Sequence, residues 1–385
     1  MTDALAFALY LHVPWCRRVC PYCDFNVHAR PSIPEDADVA AYAAEIDAWA
    51  ATAPFAEAPL DSVFLGGGTP SLLSPAAVAR ILDHVGRRFR LRGDAEITLE
   101  ANPGTVTYDS LRALRAAGVN RLSLGAQSFQ PAVLARLGRD HGPEETVAAV
   151  ACARRAGFGN LSLDLVFAVP DERVEDWARD LDAALALAPE HVSTYALTYE
   201  PGTPMARWRA SGRIRPVDDD DEAAMGELAC TTLAAAGYER YEISSHARPG
   251  FASRHNQRYW DGSSYLGIGP GAHSYAALPL PGRRWENERQ PERYRAQVMA
   301  GGTAVAARED LTPARAESDY VVTGLRRIAG VDGTAFRRRF GRSLEQALPQ
   351  LGTLERDGLV VHEAGALRLT GLGLRFADSV WATLV

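Results

Sequence analysis

The sequence predicts an α/β protein: a partial parallel (β/α)6 barrel followed by a small α+β domain of winged-helix type. Over roughly the first 200 residues, six short β-like runs alternate with amphipathic helical stretches, the pattern of βα units that pair their strands in parallel. Beyond residue 200 the alternation stops, and the last segment reads as helices followed by a hairpin. Six units fall short of the eight of a complete barrel, so the barrel is expected to stay open.

The expected strands are Phe7–Val13, Ser62–Leu65, Glu96–Glu100, Arg121–Gly125, Leu161–Val166 and His191–Leu197. Helical stretches rich in Ala, Leu and Arg lie between them, near 38–52, 75–89, 107–117, 143–156 and 174–187. Residues 203–236 read as helical. The acidic run Asp218–Glu222 falls at a helix start, where negative charge is favoured, and reads as a cap and solvated face. Residues 238–275 are rich in Tyr, Gly, His and Asn and read as loops and short strands, and Pro279–Arg284 as an exposed loop. Residues 310–385 hold three helical stretches, then Gly358–His362 and Ala366–Leu369 around a Glu-Ala-Gly turn. The expected division is a barrel core at 1–200, a barrel extension at 201–305 and a C-terminal domain at 306–385.

Composition narrows the function. Of 385 residues, 47% are hydrophobic and 23% charged, as in an ordinary globular protein with a large core. All 41 basic residues are arginine. Without lysine there is no Schiff-base chemistry with pyridoxal phosphate and no P-loop ending in Gly-Lys. A net charge of −7 argues against broad nucleic-acid binding, and no nucleic-acid partner is expected. No run of 18 apolar residues is present and the N-terminus lacks a signal-peptide pattern, so a cytoplasmic protein is expected; peripheral membrane contact stays open.

Three of the five cysteines crowd into Cys16-Arg-Arg-Val-Cys20-Pro-Tyr-Cys23, just after the first strand. In a cytoplasmic chain such a cluster points to a metal centre rather than to disulfides. Three thiolates on one loop can hold an iron–sulfur cluster with one iron left open, or a structural zinc with His12 or His28 as the fourth ligand. Cys152 and Cys230 sit in Ala-rich helical stretches and read as small core residues.

The spacing C-x3-C-x2-C after a first strand resembles the radical S-adenosylmethionine (SAM) superfamily. That resemblance implies a [4Fe-4S] cluster on Cys16, Cys20 and Cys23, with SAM on the open iron. Further motifs are Tyr10-Leu-His-Val-Pro-Trp-Cys16, Phe64-Leu-Gly-Gly-Gly-Thr-Pro70, Leu99-Glu-Ala-Asn-Pro103 and Leu124-Gly-Ala-Gln-Ser-Phe129. Together, over roughly residues 8–275, they resemble the oxygen-independent coproporphyrinogen III oxidase family and its haem-chaperone relatives, the HemW group. The resemblance implies a HemN-type C-terminal domain. It assigns Tyr10, Tyr22, Gly67, Gly68, Thr69, Glu100, Gln127, Arg139 and Asp164 to SAM.

These residue types also suit such roles on their own terms. Gly66–Gly68 after a strand lets backbone amides approach a ligand, and a glycine triplet also makes a plain tight turn. Glu100 and Gln127 end strands, where barrel enzymes place functional groups. The alternative for Glu100 is a structural hydrogen bond to the Asn102 loop. Arg139 suits a carboxylate. Asp164 lies within an apolar strand, where a carboxylate needs a partner.

Within the family, three features point to the haem chaperones. Position 25 is Phe, where the oxidases carry a fourth cysteine; only 15 residues precede Cys16; and Arg254-His-Asn-Gln-Arg-Tyr-Trp260 holds the H-N-x-x-Y-W motif of the HemW group. The resemblance therefore implies a protein that binds haem and delivers it to an acceptor protein. His255 is the expected haem ligand, with Tyr259 and Trp260 against the macrocycle and Arg258 on a propionate; His273 is second. The oxidase, and a zinc-stapled binding module with a winged-helix tail, remain as alternatives.

Overall fold

A computed structural model describes residues 6–385. Six strands run in parallel, each beside the next: β1 (Phe7–Val13), β2 (Pro59–Gly67), β3 (Arg90–Ala101), β4 (Arg121–Gln127), β5 (Leu161–Phe167) and β6 (His191–Ala196). Helices Glu35–Ala50, Pro75–Arg88, Tyr108–Ala116, Pro143–Arg155 and Val174–Ala186 connect them on the outside. Their starts are chemically marked. Pro75 opens its helix and the Ser74 hydroxyl accepts from the Ala77 N–H at 3.1 Å.

The sheet is wider than six strands. After β7 (Glu239–Arg240) and β8 (Ser245–Ala247), which extend the β6 edge, β9 (Tyr265–Ile268) pairs in parallel with the far side of β1. Strands β10 (His273–Ala276), β11 (Arg283–Asn287) and β12 (Val305–Asp310) then continue antiparallel to complete twelve. The six parallel units are as expected, and β9 adds a seventh parallel strand from the stretch expected to hold only loops and short strands. β9 is short and contains Gly267, and the helix before it, Arg254–Trp260, has only seven residues, so little local pattern distinguishes it from the loops around it. Its pairing with β1 is a long-range event.

Period-2 alternation sorts the two faces of the barrel. Leu9, Val63, Leu99, Leu122, Leu163 and Val192 point outward into one apolar core with the helices, each burial worth about 1.5–3 kcal/mol. The residues between them point inward and are mostly polar: Tyr10, Glu100, Ser123, Asp164 and Ser193. Parallel strands are usually apolar on both faces. A polar inner face instead surrounds a cavity.

The C-terminal segment has its own apolar core around Val321, Leu325, Phe336, Leu351 and Val380. Strands β13 (Val331–Asp332), β14 (Val360–Glu363) and β15 (Ala366–Leu369) form its small antiparallel sheet. The expected Glu-Ala-Gly turn joins the last two, with Ala364 and Gly365 at φ of 51° and 82°. Asp218 caps the helix Asp219–Ala235, its carboxylate accepting from the Asp221 N–H at 2.9 Å. Among the described residues, no helix is long and apolar enough to cross a membrane.

Candidate functional site

The barrel encloses a cavity of about 550 Å³. All thirteen residues assigned above to cluster, SAM and haem line it: Cys16, Cys20, Cys23, Tyr10, Tyr22, Gly67, Gly68, Thr69, Glu100, Gln127, Arg139, Asp164 and His255. The segment after β1 carries the cysteines across the C-terminal ends of the strands, and its free thiols form one wall of the mouth. Phe25 stands 66% exposed on the same rim.

The cysteine loop is fastened to the strand ends beneath it. The Gly68 and Thr69 N–H groups each donate at 2.8 Å, to the Val13 and Trp15 carbonyls. The Thr69 hydroxyl donates to Cys16 Sγ at 3.6 Å, and Arg139 donates to Cys20 Sγ at 3.4 Å. Arg139 also bonds the Asn102 side chain and, at 3.3 Å, the Gly125 carbonyl. Its contacts are thus to the protein's own sulfur and amide groups. Burial pushes the Cys16 thiol up and the Cys23 thiol up to about 11, with the neighbouring sulfurs adding to both.

This donor set fits a soft metal centre, because coordination relieves the cost of gathering thiolates, and donors to the sulfurs stand ready as an outer shell. The thiols share a wall rather than a finished coordination point. Among the described residues no three His, Cys, Asp or Glu side chains already converge at metal-ligand distance. The histidines suggested for zinc lie elsewhere. His12 is engaged by the Tyr10 hydroxyl at 3.0 Å and the Asn26 carbonyl at 2.8 Å, and His28 packs on Trp15 outside the cavity lining.

The glycine segment works differently from the expectation. Its amides are spent inside the protein: Gly67 N–H donates to Glu100 Oε2 at 3.1 Å, and those of Gly68 and Thr69 tie down the loop as above. Bareness is required by packing. Gly67 has φ of 105°, and a Cβ there would lie 2.4 Å from the His12 ring; one at Gly68 would lie 2.6 Å from the Trp15 carbonyl.

Glu100 therefore meets Gly67 and not the Asn102 loop. Burial, with Asp164 adding like charge, pushes its carboxyl up to about 7. Asp164 accepts from the Ser123 hydroxyl at 2.8 Å and the Ser162 hydroxyl at 3.4 Å, and burial raises its carboxyl too. Gln127 sits at φ of 64° where the β4–β5 register shifts, and that irregularity brings it to the cavity wall.

The helix Arg254–Trp260 crosses the cavity floor, its first N–H groups held by Glu96. His255 is 1% exposed, stacks on Phe64 at 5.0 Å, and has both ring nitrogens engaged: Nδ1 with the Ser62 hydroxyl at 3.1 Å, Nε2 with the Tyr259 hydroxyl at 2.9 Å. Burial pushes this imidazole down to about 3. Iron ligation by His255 thus requires Nε2 to give up Tyr259. Two companions are corrected outright. Arg258 is committed to Asp61, Asp261 and Ser263 rather than free for a propionate. Trp260 stacks with Arg326 of the C-terminal segment at 4.5 Å rather than facing the cavity. His273 is exposed, pairs with Glu286 at 3.4 Å and lines a smaller adjoining recess. Sequence reasoning missed Arg121, Phe64, Ser193 and Tyr195, which complete the inner wall. Phe64 shares strand parity with Gly68, and Arg121 with Gln127, so alternation pointed to those two; β6, which carries Ser193 and Tyr195, held no residue already singled out.

An open parallel barrel, a cysteine loop beyond its first strand and a glycine segment beside it define the class. The family model "Radical SAM superfamily" matches residues 10–184, and "HemN C-terminal domain" matches 311–376. The chain is 39% identical to "Heme chaperone HemW" of Mycobacterium tuberculosis H37Rv, covering 98% of this chain and 95% of the relative. It is 37% identical to the "Heme chaperone HemW" of Escherichia coli K12, with 97% and 96% covered. In structure it is similar to the Escherichia coli coproporphyrinogen III oxidase HemN, described as a radical SAM enzyme: TM-score 0.83, 24% identity, 99% of this chain and 90% of the other covered, a likeness of fold. The chain belongs to the HemW family of the radical SAM superfamily.

Proposed function

We propose that this protein is a cytoplasmic haem chaperone that holds a [4Fe-4S] cluster and SAM, binds haem and passes it to an acceptor protein. The observation that carries the reading is the meeting of HemW similarity over 98% and 97% of the chain with one cavity lined by all thirteen residues assigned to cluster, SAM and haem. Cys16, Cys20 and Cys23 would hold the cluster. Bound there, it supplies an open iron for the amino and carboxylate groups of SAM. Ionised Glu100 accepts from a ligand ammonium or ribose hydroxyl, and Asp164 and Gln127 offer further acceptors. Tyr10 and Tyr22 form walls. Gly67, Gly68 and Thr69 shape the mouth by letting the cysteine loop lie close, and Arg139 braces Cys20 against Asn102. His255 is the imidazole that faces the cavity and would reach haem iron after Tyr259 turns away.

One anaerobically reconstituted sample tests this by haem titration and by assay on coproporphyrinogen III. Haem should bind with a Soret spectrum that changes in His255→Ala, and no substantial protoporphyrinogen IX should form. Robust turnover would favour the oxidase instead. An unchanged spectrum and affinity in His255→Ala would move the haem contact elsewhere, with His273 next.

A further inference from the structure

Arg121 opens β4, opposite Thr98 of β3, one inward position below Ser123. Its side chain is 2% exposed, yet it lines the cavity. Its Nε has no hydrogen-bond partner, and among the described residues no carboxylate lies within ion-pair distance of the guanidinium. The neighbouring Thr98 hydroxyl is buried and unpartnered as well. The carboxylates that feel its charge, Glu100 and Asp164, are bonded to Gly67 and to serines. Of the other arginines lining the cavity, Arg139 is held by Asn102, Gly125 and Cys20, and Arg17 and Arg18 are exposed on the cysteine loop. Folded chains bury a charge with a partner, and a guanidinium fork matches a carboxylate best.

We propose that Arg121 is an anion-anchoring residue in the cavity floor, and that its partner is a carboxylate of the ligand the cavity receives. The assignment rests on the cavity being the ligand site described above. A porphyrin propionate offers that chemistry, and so does the carboxylate oxygen of SAM that an iron contact would leave free.

The test uses full-length protein, wild type, Arg121→Met and Arg121→Lys, with two ligand pairs: haem against its dimethyl ester, and SAM against decarboxylated SAM. For one pair the acid should bind wild type about tenfold or more tighter than the carboxylate-free partner. That ratio should drop about tenfold in Arg121→Met and largely survive in Arg121→Lys; the responding pair identifies the source. Acetate, compared with acetamide, should raise the melting temperature of wild type without added cofactor and leave Arg121→Met unmoved. Arg121→Met alone should melt no lower than wild type, because it removes an unpaired buried charge. Ratios preserved in Arg121→Met, together with equal effects of acetate and acetamide, would overturn the proposal. A lowered melting temperature in Arg121→Met alongside them would mark Arg121 as a counter-charge for Glu100 and Asp164. If wild type binds no haem, the chaperone reading fails on its own, and the SAM pair and acetate still decide the role of Arg121.

Discussion

The rim and the floor of the barrel cavity are built on opposite plans. At the rim, the cysteine loop, Gly67–Thr69, Glu100, Asn102 and Arg139 are hydrogen-bonded to one another, and Cys16 and Cys20 take only one long side-chain contact each, from Thr69 and Arg139. On the floor, the aromatic and hydroxyl groups of Ser62, His255 and Tyr259 lock together beside a guanidinium that has no partner. A site that positions metal ligands needs a stiff frame. One that receives a ligand group keeps a charge in reserve.

The harshest way to break the rim is at Gly67. Alanine there adds strain at φ of 105° to a clash 2.4 Å from the His12 ring. The expected loss is about 4 kcal/mol, summing strain and overpacking, with cluster reconstitution falling alongside. Gly93→Ala, where nothing lies within 4 Å, is the control and should change little in a denaturant melt.

A sharper probe is the wall between rim and floor. Glu100 is raised to about 7 from an ordinary 4.5. A carboxyl raised on folding adds stability below its unfolded pKa, and that stability is lost as pH climbs through the folded value. Wild type should therefore lose about 3 kcal/mol between pH 4.5 and pH 8 through this group. Glu100→Gln, which still accepts from Gly67, should remove that loss and be the more stable protein at pH 8. Binding of a cationic ligand group to Glu100 should strengthen over the same interval. Equal pH profiles for the two proteins would mean that Glu100 titrates as an exposed group.

The same contrast explains what was legible in the sequence. The rim is made of contiguous runs at strand ends, so Cys16 to Cys23, Gly67–Thr69 and Glu100 stood out together. The outward leucines and valines betrayed the six strands by their period. The floor is assembled from side chains far apart in sequence. His255 meets Ser62, and the N–H of His255 meets Glu96. Local pattern carries no trace of that, so the sequence offers His255 as a haem ligand and Arg258 as a propionate partner, and says nothing of Arg121 beyond its place at the start of a strand. β9 was lost for the same reason.

The mildest expected effect concerns how the floor is tied to the C-terminal segment. Arg326 lies over Trp260 at 4.5 Å and over Trp381 at 4.8 Å, joining the floor helix to the last helix. Arg326→Ala should cost about 1–2 kcal/mol, one cation–π contact per ring. Hydrogen exchange should show the loosening first in residues 377–384 and in the helix that carries His255. Unchanged exchange in that helix would uncouple the two regions.

The most direct measurement is iron and acid-labile sulfide on anaerobically reconstituted wild type and a Cys16→Ala, Cys20→Ala, Cys23→Ala variant. Wild type should take up four irons with matching sulfide, and the variant none of that cluster. Iron and sulfide retained in the variant, or a wild type that takes up zinc and no sulfide, would contradict the assignment of the rim.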